Sequence, residues 1–397
     1  MNQSKFLSRV CFLSAKIGAG FPGVVSFWKT VVFGLLILAV CTSWAGTTSV
    51  VVWGDNGFGQ TNLPSGLTNG IALACGDAHC LVLKTDGKIT GWGYNGYSQA
   101  TPPATLSNVV AVAGGGDNTL ALRSNGTVFA WGYNFYGQGA VPLAATNAVA
   151  IASGFYHDVI LRSNGTVFAW GYTLYGQTNV PASATNVYAV AAGYWHCLAL
   201  RRGGQVLAWG RNTSGQTNVP ASLTNAIAIA GGGSHSLALR LDGSVVAWGG
   251  NAFGQTNVPA SATGVVAIAA GENHSVALRG DGKVVAWGDN SLGQTNVPGN
   301  LSNVVAIAAG GGSSMALVAT GAVPAFVLSR PVVSSNAVSL MVTSAVGRAF
   351  YVEYANGIPA SNWTMLPPVA GDGSNKTLVD LSGPVGAQRI YRGFQKQ

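Results

Sequence analysis

Five histidines occur in this 397-residue chain, His79, His157, His196, His235 and His274, and the gaps between them are all multiples of 39 residues. Imidazoles ligate metals, relay protons and act as general bases, so a set at one spacing raises zinc or proton-transfer chemistry first. A single zinc ion needs its nitrogens within about 2.0–2.1 Å of one point. Equivalent points on successive repeats stand farther apart than that. Each histidine is therefore expected to make one structural hydrogen bond per repeat, and no metal is expected. Asn118 and Ser313 fill the same position in two further repeats. There is no Gly-x-Ser-x-Gly elbow, no phosphate loop ahead of a helix and no Cys/His metal spacing. Asp86, Asp242 and Asp281 stand beside glycine, as turn residues do. No catalytic residue and no cofactor is assigned, and the chain reads as a non-enzyme. A glycan- or peptide-acting enzyme, with distant residues converging at a channel mouth, ranks third among functions.

What positions the histidines is a repeat. Trp53, Trp92, Trp131, Trp170, Trp209, Trp248 and Trp287 are each followed by glycine, at the same 39-residue step. In the sixth unit Val265–Gly271 leads to Glu272–Leu278, then a turn at Arg279–Gly282, then Lys283–Gly288. Short β-branched or alternating runs cut by glycine read as strands. Asp86-Gly87, Asn125-Gly126, Asn164-Gly165, Gly203-Gly204, Asp242-Gly243 and Asp281-Gly282 separate the last two runs and suit type I′ hairpins. A glutamine (Gln60 through Gln294) and a proline (Pro64 through Pro298) then end each unit, the proline breaking the ladder.

A small antiparallel sheet cannot bury both faces alone, but repetition around an axis does so, which is the logic of the β-propeller. The ends say how the ring closes. Ser49–Trp53 arrives without a histidine strand before it, and Gly310–Leu317 has no Trp-Gly strand after it. The sequence thus predicts an all-β fold: a seven-bladed propeller over residues 46–321, closed by its N-terminal strand. The recurrent tryptophan and glutamine are assigned to the core and to packing between blades.

Residues that break the repeat carry the recognition signal. The Gly-x-x-His loop and the residue after each Trp-Gly should share one face of the disc. Before the histidine position stand Phe155-Tyr156 and Tyr194-Trp195 in two adjacent units, and small or polar residues elsewhere. After Trp-Gly come Asp55, Tyr94, Tyr133, Tyr172, Arg211, Gly250 and Asp289. Together they predict a binding arc of Tyr94, Tyr133, Phe155, Tyr156, Tyr172, Tyr194, Trp195 and Arg211. Tyr, Trp and Arg are the residues from which binding hot spots are made.

The wording Ala-Gly-x-x-His-Ser-x-Ala-Leu, then Asp-Gly, then Ala-Trp-Gly-x-Asn-x-x-Gly-Gln, resembles the regulator of chromosome condensation repeat over residues 49–321. That resemblance implies the propeller, and a fold by itself assigns no function. In repeat length, and in loops such as Gly254-Gln255-Thr256-Asn257-Val258-Pro259, the chain is also similar to the exported propeller-type β-lactamase-inhibitory protein. That inhibitor binds through aromatics ahead of the histidine position, where this chain matches at Tyr156 and Trp195. It differs at Ala78, Asp117, Ser234, Asn273 and Gly312.

Residues 1–45 read as an export signal: a basic segment to Lys29, an apolar run Val31–Val40, and Ser43-Trp44-Ala45 as a cleavage site. An uncleaved anchor is the alternative. Of five cysteines, Cys75, Cys80 and Cys197 lie beyond the leader. Cys75 and Cys80 either form a local disulfide or serve as small buried residues. The formal charge of +8 is misleading, because the leader holds four bases without an acid and residues 322–397 hold six bases against three acids. Ten bases and nine acids remain in the repeat region. That supply is too small for a nucleic-acid binder.

Past residue 321, Ala322–Ser329 reads as a linker. Five runs follow, Val338–Thr343, Ala349–Tyr354, Trp363–Leu366, Thr377–Leu381 and Gln388–Phe394, and suggest a small β-sandwich-like module with Trp363 in its core. It is similar to modules that end many exported bacterial repeat proteins. The whole reads as an extracytoplasmic, monomeric scaffold for a protein partner, with no membrane contact beyond the export signal. A secreted inhibitor of a hydrolase such as a β-lactamase is the runner-up.

Overall fold

The computed structural model describes residues 47–320 continuously, together with the strands Cys11–Ala15 and those between Val327 and Gln395. The apolar run, the cleavage site and Trp363 lie outside the described residues. Among the described residues every regular element is a strand, and no helix is long and apolar enough to cross a membrane.

Seven three-stranded antiparallel sheets form the repeat region. Blade 1 comprises an inner strand Gly70–Cys75, a middle strand His79–Lys84 and an outer strand Ile89–Gly93. Blades 2 to 6 repeat this order at the 39-residue step. Blade 7 is a composite. Its inner and middle strands are Val304–Ala309 and Ser313–Thr320, and its outer strand is Thr47–Gly54, paired from Thr47↔Thr320 to Gly54↔Ser313. Both orphan ends of the sequence thus find each other, as expected.

Middle strands are buried on both faces, because each blade packs against two neighbours. His196–Arg201 is buried up to its last residue. Apolar clusters form between blades rather than within them. One joins Val159, Leu161 and Val167 of blade 3 to Val187, Cys197 and Trp209 of blade 4. A ring of main-chain hydrogen bonds near the axis adds to this. Asp77 N–H reaches Gly115, Gly116 reaches Gly154, Phe155 reaches Tyr194 and Tyr194 reaches Gly232. Gly233 then reaches Gly271, Glu272 reaches Gly310, and Gly311 returns to Gly76. The ring therefore closes on itself. The first glycine of each loop permits it: a Cβ on Gly193 would fall into the His196 ring and onto the Gly232 carbonyl.

The hairpin turns correct one expectation. Gly87, Gly126, Gly165, Gly243 and Gly282 have positive φ, but the Asp or Asn before each does not. In blade 1 Gly87 N–H bonds Lys84 O at 2.9 Å, and Lys84 N–H bonds Lys88 O at 2.9 Å. This is a three-residue loop, a type I turn with glycine in a bulge, rather than type I′. The carboxylate of Asp86 accepts the Lys88 N–H at 3.0 Å, which holds Asp86 on the right-handed side. Blade 4 alone has positive φ at both positions, Gly203 and Gly204.

Cys75 and Cys80 oppose each other across the inner and middle strands of blade 1, both buried and both free thiols. The hydrogen bond with the Cys80 thiol, and then burial, hold Cys75 well above the usual cysteine range, so the Cys75 thiol is not poised to react.

Beyond the propeller, one sheet contains Val327–Leu328, Val332–Ser334, Ala337–Thr343 and Asn375–Asp380. A second contains Ala349–Asn356, Thr364–Met365, Val369–Ala370 and Arg389–Gln395. Each of the five expected tail runs contains a described strand, while Trp363, Leu366, Leu381 and Gln388 lie outside the described residues. Within the expected leader, Cys11–Ala15 pairs with Arg389–Gly393 at the edge of the second sheet.

Candidate functional site

The histidines belong to a layer between blades. His196 Nε2 lies 2.9 Å from Ser236 Oγ of the next blade, and His235 Nε2 lies 3.0 Å from Ser275 Oγ. Ser236 Oγ donates to Gln216 O at 2.9 Å, and the same carbonyl accepts Trp248 Nε1 at 2.9 Å. A hydroxyl has one proton to give. With it committed to Gln216 O, the serine must accept from His196, which fixes the imidazole as its Nε2–H tautomer. All seven tryptophans bond a glutamine carbonyl in this way. The histidines are thus structural, as expected. Burial depresses them, to about 4 at His79, His157 and His274 and about 3 at His196 and His235.

One blade pair replaces the histidine. Asn118 Nδ2 bonds the buried Asp158 carboxylate at 3.1 Å, and Ser153 Oγ donates to it at 2.6 Å. Burial pushes Asp158 up to about 7 against those two hydrogen bonds.

Above this layer lies the loop face. The residue after each Trp-Gly is pinned to the loop before the histidine position: Tyr94 N–H to Ala78 O, Tyr133 to Asp117, Tyr172 to Tyr156 and Arg211 to Trp195, all 2.8–2.9 Å. Both loops therefore share one face. On it the predicted aromatics meet. Tyr133 and Tyr156 have ring centroids 5.5 Å apart, Tyr156 and Trp195 5.6 Å, and Tyr172 and Trp195 5.6 Å. Arg211 ends the arc with its guanidinium 5.2 Å from the Tyr175 ring.

Five further rings complete the arc. Phe58 touches Tyr94 at 4.9 Å, and Tyr97 bridges to Tyr133 at 4.8 Å. Tyr136 bridges Tyr156 and Tyr172 at 4.9 and 4.7 Å. Phe135 packs on Tyr136, and Tyr175 on Trp195. Phe135 is 77% exposed and Phe58 57%, and Leu174, at the position equivalent to Phe135 one blade on, is 70% exposed.

Six segments, residues 71–99, 109–138, 148–177, 187–216, 226–255 and 265–294, match the family described as the Regulator of chromosome condensation (RCC1) repeat. This chain belongs to that family. The composite blade 7 falls outside the matched segments, since its outer strand is separated in sequence from the other two. No curated protein sequence matches the chain. Among solved structures, Prp20p from Saccharomyces cerevisiae is 21% identical, covers 71% of this chain and 94% of its own, and has a TM-score of 0.60. Yeast RCC1 (Prp20), solved with Kap60 bound, is 20% identical, with 77% and 97% covered and a TM-score of 0.61. Human WBSCR16 is 20% identical, with 69% and 99% covered and a TM-score of 0.55. These likenesses show the fold.

In this RCC1-repeat propeller one predicted arc member faces elsewhere. Tyr194 touches Phe155 at 4.8 Å, but its hydroxyl donates to Asp77, crossing the channel mouth from blade 4 to blade 1. It belongs to the plug over the axis and not to the exposed arc. Position in the repeat fixes where a loop residue starts, whereas the direction it turns depends on what lies across the ring. Four of these five rings have a signal of their own in the sequence, Phe135 being the exception. The residue two before each glutamine is Phe58, Tyr97, Tyr136 and Tyr175 in four consecutive units. Each gives its main-chain N–H to that glutamine's Oε1, at 2.8 Å for Phe58 and 3.0 Å for the others. The loop backbone is thus fixed, and the ring is left to project.

Proposed function

We propose that this chain is an exported, non-enzymatic propeller that binds a protein partner on the aromatic arc of its loop face. One observation carries the reading. Blades 5 and 6 make the same loop bonds, Gly250 N–H to Ser234 O at 2.8 Å and Asp289 N–H to Asn273 O at 2.9 Å, with no aromatic residue at any of these four positions. The fold does not require the rings, yet they stand half in water as one contiguous patch. Apolar groups left exposed without a structural need mark interaction surfaces. The yeast neighbours are described with Gsp1p, histones and Kap60, proteins in each case, which supports a protein as the class of partner. Export rests on the leader, Lys29 followed by Val31–Val40 and Ala45.

A pull-down from envelope and secreted fractions of the source cells tests this, with the full chain as bait beside a Tyr156→Ala, Trp195→Ala variant. A partner held by the first and lost by the second supports the arc; equal capture moves the function to another surface. Intact mass of the exported protein reads the leader directly, and retention of residues 1–45 in the secreted fraction would overturn cleavage. The second reading, an inhibitor of a hydrolase, is favoured by the contact of Tyr156 with Trp195, the positions that match the inhibitory propeller. Unchanged β-lactamase turnover in the presence of excess chain would remove that enzyme as the target.

A further inference from the structure

Charge on the propeller is sorted by face. Lys84, Lys88, Arg123, Arg201, Arg202 and the other bases lie at the hairpin turns or the strand ends leading into them, with Arg211 the single exception. The loop face carries Asp55, Asp77, Asp117, Glu272 and Asp289. Among the described residues the one ion pair, Arg279 with Asp281 at 3.0 Å, is on the turn face. The five loop-face carboxylates thus have no counter-ion, while Arg211 is committed to Tyr175 and to Thr213 Oγ1 at 2.9 Å. Repulsion among them is felt: beyond burial, Asp77 raises both Asp117 and Glu272. Desolvation, and after it the neighbouring charges including Asp117, raise the phenols of Tyr133 and Tyr156.

Resting on the protein-binding reading above, we infer that the partner's docking segment is cationic, a protein loop or tail carrying Lys or Arg. Its charges would sit against Asp117, Glu272 and Asp289 and over the neighbouring rings. Two features of the loop face point this way. Rings and carboxylates side by side are complementary to guanidinium and ammonium groups, by cation–π attraction and by Coulomb attraction together. An anionic partner would meet five like charges instead. Bringing a cation there also relieves repulsion that the free molecule already carries, so the gain is larger than for isolated carboxylates.

The test uses the full chain with labelled deca-arginine and deca-glutamate peptides as probes, at 50 and 300 mM salt, by fluorescence anisotropy. Three chains are compared: wild type, Asp117→Asn/Glu272→Gln/Asp289→Asn, and Tyr156→Ala/Trp195→Ala. The expected result is deca-arginine binding weakened about tenfold by the added salt and about tenfold by the amide substitutions, with any deca-glutamate binding at the basic turn face unchanged by those substitutions. Absence of deca-arginine binding, or an amide variant that binds it as well as wild type, overturns the inference. Sedimentation of the free chain as salt-sensitive stacks also overturns it, since the basic face of a second copy would then be the occupant. A captured partner lost by the aromatic variant but kept by the amide variant would leave the protein-binding reading standing and the cationic one refuted.

Discussion

Blades 4 and 5 are nearly the same object below the loop tips and different objects at them. His196 meets Ser236 as His235 meets Ser275, and Trp209 and Trp248 bond glutamine carbonyls at the same 2.9 Å. At the tips blade 4 offers Tyr194, Trp195 and Arg211, whereas blade 5 offers Gly233, Ser234 and Gly250. The lower layer is constrained by both neighbours and admits little change. Apart from the Tyr194–Asp77 bond and the glutamine bonds to Asp55 and Asp117, the tips are constrained through their backbones, so most side chains there vary without cost to the ring. Structure and recognition are therefore stacked along the axis rather than divided among blades.

Acid should break the lower layer first and most strongly. Each buried histidine has a folded value of about 3 or 4, below its ordinary 6.5, so the unfolded chain binds more protons between these limits. Their contribution is complete above about pH 6.5 and is lost as pH falls toward 4, at roughly 1.4 kcal/mol per pH unit for each. Asp158 acts oppositely, because its value is raised to about 7: its contribution is present below its unfolded value of 3.8 and is lost as pH rises through 7. Five histidines outweigh it, so urea midpoints should fall steeply from pH 6.5 to 5; a flat profile would refute buried neutral imidazoles. Asp158→Asn should remove the opposing slope and make the fall steeper.

Gly193→Ala and Gly232→Ala probe the same layer in the two blades. Each new methyl meets a histidine ring and a carbonyl of the next blade. Each should cost about 3 kcal/mol by denaturant unfolding, alike in both. Unequal losses would mean that the aromatic blade is scaffolded differently. At the tips the ranking should reverse. Tyr156→Ala with Trp195→Ala should weaken partner binding about a hundredfold, while Phe253→Ala with Leu292→Ala should change it less than about twofold. Phe253 and Leu292 are 51% and 52% exposed on the same face, so they control for mere hydrophobic exposure. The smallest effect is expected at Arg211→Ala, about 0.5 kcal/mol of stability from its exposed contact with Tyr175, measured by thermal melting.

The lower layer was legible in the sequence because it is periodic. A 39-residue step places Trp, Gln and His on every blade, and the unpaired runs at Ser49–Trp53 and Gly310–Leu317 disclose the closure. Loop tips were legible only in part. Tyr133, Tyr156, Tyr172 and Trp195 stand at strand ends, where period fixes location. Phe135 and Tyr136 lie inside a loop, where strand alternation says nothing. Tyr194 was placed in the correct loop but on the wrong side of it, since Asp77 lies 117 residues away. The turn type is not legible in the sequence because Asp-Gly fits two loop lengths, and only the extra hydrogen bond from Lys84 distinguishes them. Charge sorting is invisible in the net charge, which sums over both faces.

Thr47 and Thr320 are opposite partners in blade 7, at the turn edge of the disc. The polypeptide therefore enters and leaves the ring side by side. Tension applied between the two ends would load the Thr47–Gly54 strand in peeling, one hydrogen bond after another, instead of shearing all of them at once. The ring should open at its seam under modest force, and the aromatic face, at the far edge, lies outside the path along which that force is carried.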